Sequence, residues 1–179
     1  MATFTHDEID YDLSIFDKKN HIFSVDESIQ ISAEIHFSVH CYTENWVSGG
    51  VIQDHNKNNR EFCPIRYTYS KDCLGQIDEW LKRTCIISKD NKGYNHWILI
   101  ENANGQKGKV AFDIKKHKYN ANSVWIRVKT IHPYDKSNPP NLKTSPQTTF
   151  KKLTKAVGIF GNIPELKVPK TLTFLPKTP

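Results

Sequence analysis

From Gln30 to Thr43 the chain alternates without a break. Ile31, Ala33, Ile35, Phe37, Val39 and Cys41 fall on one side, and Glu34, His36, Ser38, His40 and Tyr42 on the other. A helix repeats its faces every ~3.6 residues, so a sustained period of two predicts instead a long strand with one face buried. The apolar face needs a cover. The polar face gathers histidines, a carboxylate and hydroxyls in one row, an unusual set for a merely solvated surface.

Further along, Tyr94–Glu101, Lys109–Lys116 and Ser123–Ile131 read as strands, the first two joined by the hairpin composition of residues 102–108. In the last of them Val124, Ile126 and Val128 alternate with Trp125, Arg127 and Lys129. Phe62–Tyr69 reads as a short strand and Trp46–Asn59 as an exposed excursion. Ser70 is a fitting cap for a helix over 71–86, with Leu74, Ile77, Leu81 and Cys85 at helical spacing. The predicted fold class is α+β: a twisted, mainly antiparallel sheet of four to five strands, one or two helices on one face, and an extended basic C-terminal tail. Residues 1–137 form the predicted domain. Prolines punctuate residues 138–179, predicted to be an extension with one short helix, capped by Ser145, opened by Pro146, carrying Phe150, Leu153 and Val157 on one face and stopped by Gly158.

A chain of 179 residues is about one domain's worth. No apolar run reaches the ~20 residues of a bilayer span, and the N-terminus lacks the pattern of a secretion signal. Cys41, Cys63, Cys73 and Cys85 form no CxxC pair, which favours reduced thiols, so a cytoplasmic protein is expected. Neither a metal nor another cofactor is expected. The net charge of +6 is polarised: residues 138–179 carry seven lysines and one glutamate, whereas the remainder balances at 18 of each sign. Such polarity suits a polyanionic partner, RNA or another nucleic acid, rather than a membrane.

Three groups could carry chemistry. His36, Ser38, His40 and Tyr42 share the polar row, and imidazoles can serve as base and acid towards a ribose hydroxyl and a leaving oxygen. Side chains four residues apart on a strand are ~13 Å apart, so His40 needs a partner from another strand. Arg66 offers a planar fork for phosphate, and Tyr67 or Tyr69 a stacking face or hydroxyl. At the end of the last strand, Arg127 and Lys129 meet His132 and Tyr134. Cys41, on the apolar side, reads as core. Nucleotide-loop, zincin and serine-hydrolase signatures are absent from the sequence.

Arg66-Tyr67 before the helix and Thr130-Ile-His-Pro-Tyr134 closing the last strand resemble the barnase–EndoU–colicin–RelE superfamily of ribonuclease toxins, over residues 30–135. Phe37–Thr43 and Phe62–Tyr67 also look like phrases shared by small bacterial proteins. In barnase-like chains the main helix precedes the strands, whereas here a long strand comes first. The resemblance implies a metal-independent endoribonuclease of bacterial or phage toxin or defence type, partnered by an antitoxin or immunity protein. It implies His40, His132 and Arg66 as catalytic residues, and the residue groups themselves offer Lys129, Arg127, His36, Tyr67 and Tyr134 for binding substrate. The alternative from the residues themselves is a non-catalytic module that binds nucleic acid or protein.

Overall fold

The alternating segment does build a strand, but one that stops at Phe37. In the computed structural model, which describes residues 3–46, 52–90, 93–133 and 147–164, the elements in chain order are β1 (Thr3–His6), β2 (Ile9–Asp12), β3 (Lys19–Ser24), β4 (Gln30–Phe37), β5 (Thr43–Trp46), β6 (Ile52–Gln53), β7 (Asn59–Phe62), α1 (Pro64–Leu74), β8 (Thr84–Asp90), β9 (Gly93–Glu101), β10 (Lys107–Lys116), β11 (Ser123–Pro133), β12 (Gln147–Thr149) and α2 (Phe150–Phe160). The main sheet has seven strands in the order β12-β8-β9-β10-β11-β4-β3. Every neighbouring pair is antiparallel except β11 and β4, which run parallel. Strands β5, β7 and β6 form a second, three-stranded sheet, and β1 pairs with β2. The protein is thus α+β with a large, mostly antiparallel sheet, wider than the four to five strands expected.

Both helices lie on the inner face of that sheet. Ile31, Ala33 and Ile35 of β4, Val110, Phe112 and Ile114 of β10, and Val124, Ile126 and Val128 of β11 form the buried floor. Phe150, Leu153 and Val157 of α2 press onto it, spaced three and four residues apart so that one stripe of the helix is apolar. Burying each such side chain stabilises the fold by about 1.5–3 kcal/mol. From α1, Ser70 donates to the carbonyls of Cys41 (2.6 Å) and Ile131 (3.4 Å), and Tyr69 sits against Gly108. Glu34 and His36, on the opposite side of β4 from Ile35, therefore face away from the helices.

Several expectations need correction. Residues 147–160 belong to the core rather than to a tail, so the domain does not end at 137. The helix there is capped by the Thr149 hydroxyl, which accepts from the Lys152 N–H (3.1 Å), and it runs through Gly158 to a left-handed Gly161 (φ 76°). Gly158 instead allows close approach: a Cβ there would lie 3.0 Å from Ile31. The proposed cap Ser145 and first-turn Pro146 lie outside the described residues. The helix expected over 71–86 begins at Pro64 and ends at Leu74, with a separate helical turn at Ile77–Lys82. Pro64 occupies the first helical position, where its missing N–H costs nothing, and this converts the expected strand Phe62–Tyr69 into helix after Phe62. Ser70, expected as a cap, is a buried residue of that helix. The excursion over 46–59 contains β6 and leads into β7.

Candidate active site

Two interruptions of regular structure create the site. The first ends β4. Ser38 donates its N–H to the Val128 carbonyl (2.9 Å), and its hydroxyl accepts from the His40 N–H (3.4 Å). Residues Val39–Cys41 then form a helical turn. His40 thereby leaves the strand row altogether. Its carbonyl accepts from the Thr130 hydroxyl of β11 (3.2 Å), while Cys41 stays in the core. Burial pushes the Cys41 thiol up to about 12, which agrees with its reading as core rather than nucleophile.

The second interruption is a bulge in β11. Ala111 of β10 pairs with Thr130 and Phe112 with Val128, which leaves Lys129 as the extra residue. Unbroken alternation would have sent Thr130 and His132 inward behind Val128. The bulge shifts the phase by one, so Ile131 is buried and Thr130 and His132 join Arg127 on the outer side. His132 Nδ1 lies 3.4 Å from the Thr130 hydroxyl oxygen. Since that hydroxyl gives its own hydrogen to the His40 carbonyl, the contact is satisfied when His132 Nδ1 carries the proton.

Around these histidines stand groups the sequence reading did not single out. Asp54 is buried, and its Oδ1 accepts from the N–H groups of Asn56 (2.8 Å) and Asn58 (3.0 Å). Its Oδ2 accepts from the Asn58 side-chain amide (3.1 Å) and stands 3.5 Å from His40 Nε2. The Asn58 side chain foremost, with backbone N–H groups and His40, holds the Asp54 carboxyl well below the usual carboxylate range. Thr43 ties two cations together: its hydroxyl accepts from Arg60 Nε (2.8 Å) and its carbonyl from Arg66 Nη1 (2.8 Å). Each bond uses one of the five donors of a guanidinium.

The electrostatics favour anions. Burial, then Arg60, lowers His40 below its ordinary 6.5, with Asp54 opposing. Burial, then Lys109 and Arg66, pushes His132 down to about 4. Both rings are therefore neutral at pH 7, chiefly because burial excludes water and secondarily because cations stand near them.

Of the expected site residues, His40 and His132 are linked through Thr130, and Arg66 stands near enough to His132 to lower it. His36, Arg127 and Lys129 line the outer face of the sheet beside them: Arg127 is the register partner of His36, His36 bonds Glu34 (2.6 Å), and Lys129 pairs with Asp113 (2.8 Å). Tyr67 does not join them. Its ring is buried against Tyr11, Phe16 and Phe62, and its hydroxyl donates to the Asp12 carbonyl (3.1 Å), so it offers no stacking face. Helical rather than extended backbone at Tyr67 turns that side chain inward. Tyr42 is likewise a packing residue, 4.7 Å from Phe16 between ring centroids. Tyr134 lies outside the described residues. Asp54, Arg60, Thr43 and Lys109 were missed, and Thr130 was read only as part of the phrase closing the last strand. The one legible signal was Asp54 followed by Asn56 and Asn58, a run in which an aspartate folds its own loop.

Among the described residues no three His, Cys, Asp or Glu side chains converge as metal ligands, and no helix is long and apolar enough to cross a membrane. No curated protein and no solved structure matches the chain. The YjaZ family model does match, over residues 3–158, a span that reaches from β1 to the last turn of α2 and includes every residue of the site. The chain belongs to the YjaZ family.

Proposed function

We propose that the chain is a metal-independent endoribonuclease of toxin or defence type, which works on RNA and is held in check by an inhibitor protein. What supports this reading is the link between His40 and His132 through Thr130, with Asp54 and Arg60 acting on the first imidazole and Arg66 and Lys109 on the second. With Nε2–H directed at Asp54, the proton-accepting position of His40 is Nδ1. That nitrogen takes the proton of a ribose 2′-hydroxyl as its oxygen attacks the adjacent phosphorus. The bond from phosphorus to the 5′-oxygen breaks, and His132, once protonated, gives that oxygen its proton. The products are a 2′,3′-cyclic phosphate and a 5′-hydroxyl. Arg60 and Arg66 hold the non-bridging oxygens and stabilise the charge that builds on them. Phosphate binding offsets Arg66 and Lys109, which raises the proton affinity of His132 at the step that needs it.

The test is cleavage of total RNA by the full chain, with and without chelator. Chelator leaves the activity intact, fragments end in cyclic phosphate, and a 2′-deoxy substitution at the cleaved position blocks the reaction. His40→Ala and His132→Ala each lower kcat by about 10²-fold or more while binding of uncleavable RNA persists. Arg66→Ala weakens binding and rate together. Histidine variants with full activity, or a wild-type chain that binds RNA without cutting it, overturn the enzyme and leave a binding module.

A further inference from the structure

Beside the candidate active site, the open face of the main sheet has a depression of about 360 Å³, lined by Trp125, Arg127, His36, His55 and the turn that carries His40. That volume lies at the low end of the roughly 300–1,000 Å³ typical of small-ligand pockets, enough for one flat group and its sugar. What distinguishes the depression is the planarity of its walls. Trp125 is half-buried, and its indole packs on the His36 ring with centroids 5.4 Å apart. Glu34 holds that imidazole through Nε2 at 2.6 Å. The Arg127 guanidinium lies 3.4 Å from one ring nitrogen of His55 and 3.5 Å from the other. Near-equal distances from Nη2 place that nitrogen over the His55 ring rather than in line with either ring nitrogen.

An indole, a guanidinium and two imidazoles around one hollow suit a flat heteroaromatic ring, which stacks on such surfaces whatever its hydrogen-bonding edge. The hollow adjoins the turn that carries His40. Ser38 and Val39 line it immediately before His40, and His55 follows Asp54 in the same loop and adds its own influence on His40. The geometry points to Trp125 as the platform for the nucleobase that adjoins the scissile phosphate of single-stranded RNA. Arg127 closes the pocket from the His55 side, and the phosphate continues towards Arg66. This placement rests on the ribonuclease reading for the word scissile, but the base platform itself needs only that RNA binds.

The test uses a 2′-O-methyl hexanucleotide, which cannot be cut by 2′-hydroxyl attack, and the same hexanucleotide with one abasic position moved along it. Wild-type protein loses affinity roughly 5- to 150-fold when the stacked base is removed, the range expected for one base on one aromatic ring. Trp125→Ala loses a similar factor towards the intact oligonucleotide and becomes insensitive to the abasic change at that position, while Trp125→Phe retains most of both. Circular dichroism confirms that the variants are folded, and the phenylalanine variant keeps the test decisive should the alanine one fail to fold. If wild type and Trp125→Ala bind the intact strand equally, or pay the same abasic cost at every position, the platform is wrong even where cleavage is observed. If Trp125 variants behave as expected but nothing is cleaved, the platform stands and the enzyme falls. A wild-type chain that does not bind the oligonucleotide ends both.

Discussion

In the unfolded chain the His132 ring takes up a proton near 6.5, and in the folded protein only near 4. Between those values the unfolded state binds more protons, so stability falls as pH drops from 6.5 towards 4 and levels off below. His40 and His96, both lowered by burial, act in the same direction. The expected outcome is a Tm that declines through this window in the wild type and declines less in His132→Asn, measured by calorimetry at fixed ionic strength. Parallel slopes in the two proteins would show that His132 is not held neutral by the fold. At this scale the sequence was partly legible. His40, Arg66 and His132 stand out because imidazole and guanidinium are rare and chemically specific. Asp54 does not, because nothing in a polar loop announces that it folds back onto a histidine 14 residues earlier. Tyr67 was misread because its side chain follows the helical phase set by Pro64, and a strand phase would have turned it outward.

Strands β9, β10 and β11 were readable as a meander because each alternates on its own and the loop between the first two is built from turn residues. Asn102 Oδ1 accepts from the N–H groups of Asn104 (3.1 Å) and Gln106 (2.9 Å), and Gly105 takes a positive φ of 73°. Strands β3 and β8 were not read as strands, since each depends on a neighbour for its pairing and carries too little alternation to stand alone. The bulge at Lys129 was illegible for a different reason: it is a mismatch between two strands, and no single strand contains it. Where β10 enters the sheet, Gly108 passes beneath α1, and a Cβ there would collide with the Tyr69 hydroxyl and the His132 carbonyl oxygen. Gly108→Ala should therefore destabilise the protein by about 1–3 kcal/mol, the usual cost of overpacking, read from the urea midpoint at constant slope. A neutral result would mean that α1 can lift from the sheet, and with it Arg66 from the site.

At the scale of the whole molecule, the described fold is covered by α2. Phe150 sits 5.3 Å from Phe112 and 5.5 Å from Phe23 between ring centroids, and so joins two distant strands of the sheet. Leu153→Ala should cost about 2–5 kcal/mol. A chain cut before residue 147 should lose its cooperative thermal transition, and a sharp transition in that fragment would show that the sheet holds without its cover. The prolines and lysines that made this region read as a tail do not preclude an amphipathic stripe of Phe150, Leu153 and Val157, which only the packing reveals as core. The parallel pairing of β4 with β11 also sets an order of events in time. Thr130 reaches His40 across 90 residues, and Ser123 reaches Ser32 across 91. Contacts of such long range form slowly, because the loop entropy is lost before the contact rewards it. During synthesis at about 5–20 residues per second, many seconds separate the appearance of His40 from that of His132. A nascent chain therefore carries His40, Asp54, Arg60 and Arg66 without a site to put them in. On the ribonuclease reading, the ribosome and the message that produce this protein are spared until its last strands and closing helix have been made.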